Sequence, residues 1–232
     1  MSRRTAVRLV CQDGVPVPDP VLTLSLEGLV QDGMAVLAPL ALAVDISETV
    51  AVTGGSDCAQ RALLRLAEGR ERVTGCTVRG PQTIAAVYRE PALMAWLSVA
   101  ENLSVAAGLS GAEAEATLDD MGLGAVAGHW PGELPRETLH LVALARAFAV
   151  SPDLVLIDDP FRGDPSMAEG WIATLDRFRS LSAAAVLIVT PKPDLAERIA
   201  HRILVLDGYP AEIVADRRTI VAERPSPSPR SR

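Results

Sequence analysis

Residues 48–69 read ETVAVTGGSDCAQRALLRLAEG. An apolar run, a Gly-Gly turn and a stretch with apolar residues at helical spacing follow without a gap. That order predicts a buried strand, a tight turn and an amphipathic helix. The layout is that of a phosphate-binding loop, whose frame is GxxxxGK followed by Ser or Thr between strand and helix. Gly54 opens the frame here, with Gly55, Ser56, Asp57 and Cys58 behind it. Ala59 then stands at the second glycine, Gln60 at the lysine, and Arg61 and Ala62 at the hydroxyl positions. The chain's single lysine, Lys192, lies far along the sequence. Taken alone, the segment fits an ordinary strand-turn-helix unit equally well.

Each substitution has a physical weight. A phosphate loop binds through backbone N–H groups curled into a nest, through the helix N-terminus, and through a lysine on the outer phosphates. Gln60 can donate a hydrogen bond but carries no charge, and a lost charge-assisted bond costs about 1.5–3 kcal/mol. Asp57 adds a carboxylate: at roughly 6 Å from a phosphate and an effective dielectric of about 20, the repulsion is about 3 kcal/mol. Ala59 tolerates positive φ poorly, so the nest geometry is expected to suffer. Arg61 is the alternative cation for a phosphate. The sum predicts a loss of roughly three to four decades in affinity for a magnesium nucleotide.

Residues 131–161 read PGELPRETLHLVALARAFAVSPDLVLIDDPF, and they separate the two readings of the first segment. The chain here resembles the ATP-binding subunit of an ATP-binding cassette (ABC) transporter. In that family an LSGGQ segment opens a helix ending in RVALARAL, followed by an apolar strand ending in Asp-Glu-Pro. LVALARAF (141–148) corresponds to the helix and LVLIDDP (154–160) to the strand. The LSGGQ stretch has become Leu134, Pro135, Arg136, Glu137 and Thr138. VYREPALMAWLSVAENLSV (87–105) resembles the family's Q-loop region, VFQEPALLPWLTVLENV, with Arg89 at the glutamine. VLIVTPKPDLAERIAHRILVLDG (186–208) resembles the switch segment VLLVTHDVDEALRLADRVVVLDG, with Pro191 at the histidine. The Q-loop form and the Trp130-Pro131 pair look most like importers of the nitrate, sulfonate and taurine group. The resemblance runs in order over about residues 22–214.

The resemblance implies a P-loop NTPase-like cassette: an α/β fold with a mainly parallel core sheet, an antiparallel β edge and a helical subdomain. It implies ATP and Mg²⁺ as ligands, with Asp158 orienting the metal and Asp159 at the catalytic glutamate. The same alignment weakens that chemistry. Asp159 is one methylene short, and a base must reach its water within hydrogen-bond distance. Pro191 offers no imidazole to the γ-phosphate. Arg89 places a cation near the metal. The segment 29–33, LVQDG, lacks the aromatic on which the family stacks adenine. In the family two cassettes sandwich ATP between the P-loop of one and the LSGGQ of the other, and here both halves are altered in one chain. Asp164 and Pro165 stand in the region of the dimer-contacting D-loop. Trp96 sits where family cassettes receive a membrane permease.

Composition suits this reading. A net charge of −7 over 232 residues argues against a nucleic-acid surface. The longest apolar run, 34–44, is too short to span a bilayer and is interrupted by Pro39. No signal peptide is evident after Arg3 and Arg4. Cys11, Cys58 and Cys76 show no metal spacing, and an odd count suits a reducing compartment. His129, His140 and His201 do not cluster in sequence, which favours structural roles. The expected organisation is a flexible segment over 1–20, a cassette over 21–218 with its helical part at about 92–150, and a disordered basic tail over 219–232. Antiparallel strands are expected in 22–46, core parallel strands at 48–54, 84–88, 154–158 and 185–190, and a closing hairpin around Gly208.

Three functions remain open at this point. The first is an importer's cassette subunit with weak ATP binding and impaired or absent hydrolysis. It would lie at the cytoplasmic face of the membrane and pair with a permease, a second cassette and, indirectly, a substrate-binding protein. The second is a regulatory or binding module that uses the fold without nucleotide. The third is an active ATPase in which Arg61 and Asp159 replace the lost groups.

Overall fold

Apolar runs that alternate with helices lay down a parallel sheet because each strand must be covered on both faces. In the computed structural model, which describes residues 19–71, 73–160 and 168–219, that sheet has six strands. The segment before Asp19, the tail beyond Thr219, Asp164 and Pro165 lie outside the described residues. The strands are β5 (Thr49–Gly54), β7 (Ile84–Val87), β8 (Leu154–Asp158), β9 (Ala185–Val189), β10 (Arg202–Asp207) and β11 (Glu212–Arg218). Their order is β11-β10-β5-β9-β8-β7, parallel throughout except for the antiparallel β10–β11 pair. β8 and β9 are buried at every residue and β5 at all but Gly54. β7 forms the sheet edge, and its Ile84 and Ala86 are only half-buried, unlike the two-sided burial expected for it.

The antiparallel strands expected in 22–46 are present, divided between two sheets and joined by one further strand. β1 (Leu22–Leu26) pairs with β4 (Leu40–Val44) on one side and with β6 (Cys76–Arg79) on the other. β2 (Leu29–Gln31) and β3 (Met34–Leu37) form a separate hairpin. The apolar run 34–44 is therefore two strands of two different sheets, divided where Pro39 removes a ladder donor. β6 escaped the sequence reading because it is short and half-exposed, with no sustained apolar signal.

Helix α1 (Asp57–Ala67) lies between the two sheets. Its Ala59, Leu63 and Leu66 join one apolar core with Leu22, Leu24, Val50, Val52 and Leu187. The opposite face of the parallel sheet is covered by α4 (Arg136–Ala149), α5 (Ala168–Leu181) and α6 (Pro193–Ile199). Helices α2 (Val99–Ala107) and α3 (Gly111–Asp120) pack on that second core through Leu103 and Leu118. Both begin with serine-glutamate capping boxes, Ser98 with Glu101 and Ser110 with Glu113.

The turn between β5 and α1 corrects one expectation. Helix starts at Asp57, so Asp57 and Cys58 occupy its first turn and Ala59 is helical and fully buried. Positive φ falls instead on Gly54 (70°) and Gly55 (65°). At Gly54 a Cβ would stand 2.3 Å from the carbonyl oxygen of Leu206, since β10 passes alongside. Gly54→Ala is thus expected to lose about 3 kcal/mol in denaturant unfolding. Gly69→Ala shares the left-handed φ (73°) but has open space around it, and its expected loss is about 1 kcal/mol.

Candidate functional site

The C-terminal ends of β5, β7, β8 and β9 converge on one crevice, the place where open α/β sheets receive ligands. Gly54 ends β5, Asp158 ends β8, Tyr88 and Arg89 follow β7, and Thr190 and Pro191 follow β9. The topology brings the turn between β5 and α1, the Arg89 segment, the two aspartates and Pro191 to this end of the sheet.

The loop is satisfied from within. Ser56 caps α1, its Oγ accepting the Ala59 N–H at 3.1 Å, and its carbonyl accepts the Gln60 N–H at 3.1 Å. Gln60 is 3% exposed and donates from Nε2 to the carbonyl of Gly54 at 2.7 Å, so its amide turns back on its own loop. The Ala59 N–H, one of the first-turn donors open to an anion, is thereby occupied, while the Gln60 N–H makes the first bond of the helix itself.

Four charged side chains fill the mouth of the crevice. The Arg89 guanidinium donates from Nε to Asp158 Oδ1 at 2.9 Å and from Nη2 to Asp57 Oδ1. Arg61 lies 4.0 Å from Asp158 Oδ2 and 3.7 Å from Asp57 Oδ2. Side-chain exposure is 11% for Arg89 and 12% for Asp158, against 59% for Asp57. The hydrogen bond it donates to Asp57, followed by the charge of Asp158, raises the Arg89 pKa above its ordinary value against the pull of burial. Two carboxylates and two guanidinium groups cancel, and the cluster closes on itself. Both oxygens of Asp158 face cations, an environment opposite to the one a magnesium ion requires, so the residues as arranged do not fit Mg²⁺. Among the described residues no group of three or more His, Cys, Asp or Glu is placed to hold a metal. Arg61, considered above as a substitute cation for phosphate, faces two carboxylates instead.

Asp159 is 4% exposed, sits at φ 34°, and donates its N–H to the carbonyl of Val189 at 3.0 Å. Pro191 is exposed beside the start of α6. The segment 134–138 forms the approach to α4: Pro135 occupies the N-cap without a side-chain bond, and Arg136 and Glu137 are exposed in the first turn. Arg136 Nη2 reaches Glu90 Oε1 at 2.8 Å, tying this segment to the one carrying Arg89.

Three contacts brace the Arg89 segment. Tyr88 donates to Glu68 Oε1 at 2.6 Å. Arg146, from the ALARA stretch of α4, donates to the carbonyls of Ala92 and Pro91 at 2.9 and 3.3 Å. His140, 3% exposed, lies 3.0 Å from the carbonyl of Arg89. Sequence reading assigned none of these partners. Asp57 was weighed there only as a charge facing phosphate, and His140 as one of three scattered histidines. The signal available was the coincidence of two unusual arginines and one unusual aspartate at sites normally neutral or cationic.

Trp96 stands apart from the crevice at 77% exposure. Its loop is held by buried Asn102, whose Nδ2 donates to the carbonyls of Met94, Leu97 and Ser98 while Oδ1 accepts the Met94 N–H at 2.8 Å. Trp130, 53% exposed, follows His129, whose carbonyl accepts the Val99 N–H at 2.9 Å.

A six-stranded parallel-based sheet with a flanking antiparallel sheet, and a strand-turn-helix unit at its crevice, define a cassette of the ATP-binding type. Solved structures agree: cbiO1 from Clostridium perfringens, part of the ABC transporter complex cbiONQ, matches with a TM-score of 0.75 at 18% identity over 86% of this chain and 88% of that one. A nucleotide-free ATP-binding cassette from an ABC transporter matches at 0.72 and 16% identity, over 86% and 92% of the two chains. In sequence, the chain is 37% identical over 184 residues to aliphatic sulfonates import ATP-binding protein SsuB 1 of Pseudomonas fluorescens, covering 78% of this chain and 71% of the relative. It is 35% identical over 198 residues to the protein of the same name from Streptomyces avermitilis, covering 80% and 74%. No protein-family model matches the sequence. The chain belongs to the ATP-binding subunits of ABC importers.

Removing Arg89 leaves Asp57 and the buried Asp158 with only the more distant, half-exposed Arg61, so Arg89→Gln is expected to destabilise the fold by about 2 kcal/mol at neutral pH in urea unfolding. Burial, then the hydrogen bond to Glu68, push the Tyr88 phenol up to about 12. The folded-state value lies above the ordinary one, so its contribution is intact below about pH 10 and is lost as pH rises towards 12. Ultraviolet titration of the two tyrosines should show one ionisation near 12, absent from Tyr88→Phe.

Proposed function

We propose that this chain is the cassette subunit of a membrane importer that docks on its permease while binding MgATP weakly and hydrolysing it slowly or not at all. One observation carries the reading: Arg89 bridges Asp57 and Asp158 where a magnesium nucleotide would need an accessible carboxylate and free donors. Gln60 bonded to Gly54, Asp159 in place of a longer base, and Pro191 in place of an imidazole support it. The residues of the altered site are Gly54, Gly55, Ser56, Asp57, Cys58, Ala59, Gln60, Arg61 and Ala62, with Arg89, Asp158, Asp159 and Pro191 from neighbouring strand ends. Leu134, Pro135, Arg136, Glu137 and Thr138 would face the second cassette.

Trp96 is the anchor for the permease. A large aromatic at 77% exposure on a loop stapled by a fully buried asparagine presents apolar surface at little conformational cost. Residues 21–218 act as the cassette, with 92–150 as its helical part, at the cytoplasmic face of the membrane. Among the described residues no helix is long and apolar enough to cross it. The relatives' names point to aliphatic sulfonates as the class of cargo, which the permease and a binding protein would select.

Calorimetric titration with MgATP tests the nucleotide half. The untouched protein should give no heat up to about millimolar ligand, whereas Asp57→Gly/Gln60→Lys/Arg89→Gln should bind at least about a hundredfold more tightly. Micromolar affinity with magnesium-dependent turnover in the untouched protein would refute it. For the docking half, Trp96→Asp should abolish co-purification with the cognate permease while leaving the unfolding midpoint within about 0.5 kcal/mol.

A further inference from the structure

The end of the parallel sheet opposite the crevice carries an apolar trough. It opens below the first residues of β5, β8 and β9, between α3 on one side and the ends of α4 and α5 on the other. Its volume is about 780 Å³, within the roughly 300–1,000 Å³ of pockets that enclose a ligand. Phe148 and Phe178 form its floor as a tilted pair with ring centroids 5.2 Å apart. Leu109 and Met121, which flank α3, are half-buried on one wall. Ile46 and Leu181 border it at 55% and 49% exposure. Large aliphatic side chains left open beside such a hollow mark a surface that another group covers.

We infer that the chain covers this trough with its own N-terminal segment. Residues 6–10 (Ala6, Val7, Arg8, Leu9 and Val10) lie in it as a strap between α3 and the base of the core. Where the chain enters the fold supports this. The described residues begin at Asp19, and Val21, two residues on, is itself part of the trough wall. A second hollow, bounded by Val21, Asp153 and residues 80–83, continues the trough, so the chain arrives in the middle of the surface to be covered. The nine steps from Asp19 back to Val10 reach about 30 Å when extended, ample for a segment to run along a hollow of this volume. In an extended chain Val7 and Leu9 fall on one face and Arg8 on the opposite one, which suits a strap with an apolar underside.

Charge agrees with this occupant. The charged residues on the trough wall are both acids, Asp120 and Asp153. Residues 1–10 carry Arg3, Arg4 and Arg8 and no acid, in a chain whose net charge is −7. Asp153 already accepts the N–H groups of Gln82 and Thr83 at 3.0 Å each, so exposed Asp120, the last residue of α3, is the partner for an arginine. An exposed pair of this kind adds little, and apolar burial supplies most of the hold. The tail beyond Thr219 leaves from the same end of the sheet, but no residue of β10 or β11 borders the trough. Helix α3 otherwise packs chiefly on α2 and on the turn that follows it, so the strap ties this helix to the base of the core.

Methyl NMR of the full chain tests the inference. Nuclear Overhauser peaks should join the methyls of Val7 and Leu9 to those of Ile46 and Leu181. In a sample mixing isotope-labelled and unlabelled chains, these peaks should arise within one chain only. They should be lost in Leu9→Asp and again in Leu181→Asp, a change at a half-exposed site on the opposite side of the contact. Peaks only between chains would give the trough to a second copy, and peaks from Ile220 or Val221 would give it to the tail. Methyls of Ile46 and Leu181 with no contact from residues 6–10 would leave it open. Each of these three results would overturn the inference, and the spectrum of the untouched protein decides among them even if either variant misfolds.

Discussion

The guanidinium of Arg89 is the interaction around which the crevice is arranged. It receives Asp158 from the end of β8 and Asp57 from the first turn of α1, two carboxylates that would otherwise repel. The backbone that delivers it is pinned by Glu68, Arg146 and His140 from two helices. A cation at this point does what a bound metal does for charge balance: it neutralises the strand-end aspartate and ties the phosphate loop to the neighbouring strand. The difference is that the cation is covalently part of the chain and presents no open coordination position.

Apolar burial and charge balance at the sheet end support this fold separately. The parallel sheet and the α1 layer draw their stability from apolar burial, with β8 and β9 buried along their length and α1 packed between two sheets. None of that depends on nucleotide. The polar end of the sheet does need charge balance, and the Asp57, Arg61, Arg89 and Asp158 cluster supplies it internally. A glutamine bonded to its own loop completes the arrangement at Gly54.

Long, strongly patterned elements were legible in the sequence. The strands at 154–158 and 185–189 announce themselves as unbroken apolar runs and α1 as an amphipathic stretch, while α4 was read from the family resemblance of LVALARAF. Gly54 was legible from the frame of the turn, and the structure adds the reason only glycine fits there, since β10 passes alongside. What escaped was set by pairing across the chain. β6 takes its place from an antiparallel partner rather than from its own composition, and α1 starts at Asp57 on the Ser56 cap, with Arg89, 32 residues on, meeting Asp57 from another strand end. Each unusual residue at the site could be read singly as a lost function. Their mutual satisfaction became visible only when strand ends distant in sequence were set side by side.

A crystal structure grown with a non-hydrolysable ATP analogue and magnesium at about millimolar concentration addresses the central claim most directly. The account predicts Arg89 still bridging Asp57 and Asp158, with no triphosphate on the loop. Triphosphate seated on the amides of residues 55–61, with magnesium on Asp158 and Arg89 swung away, would contradict it.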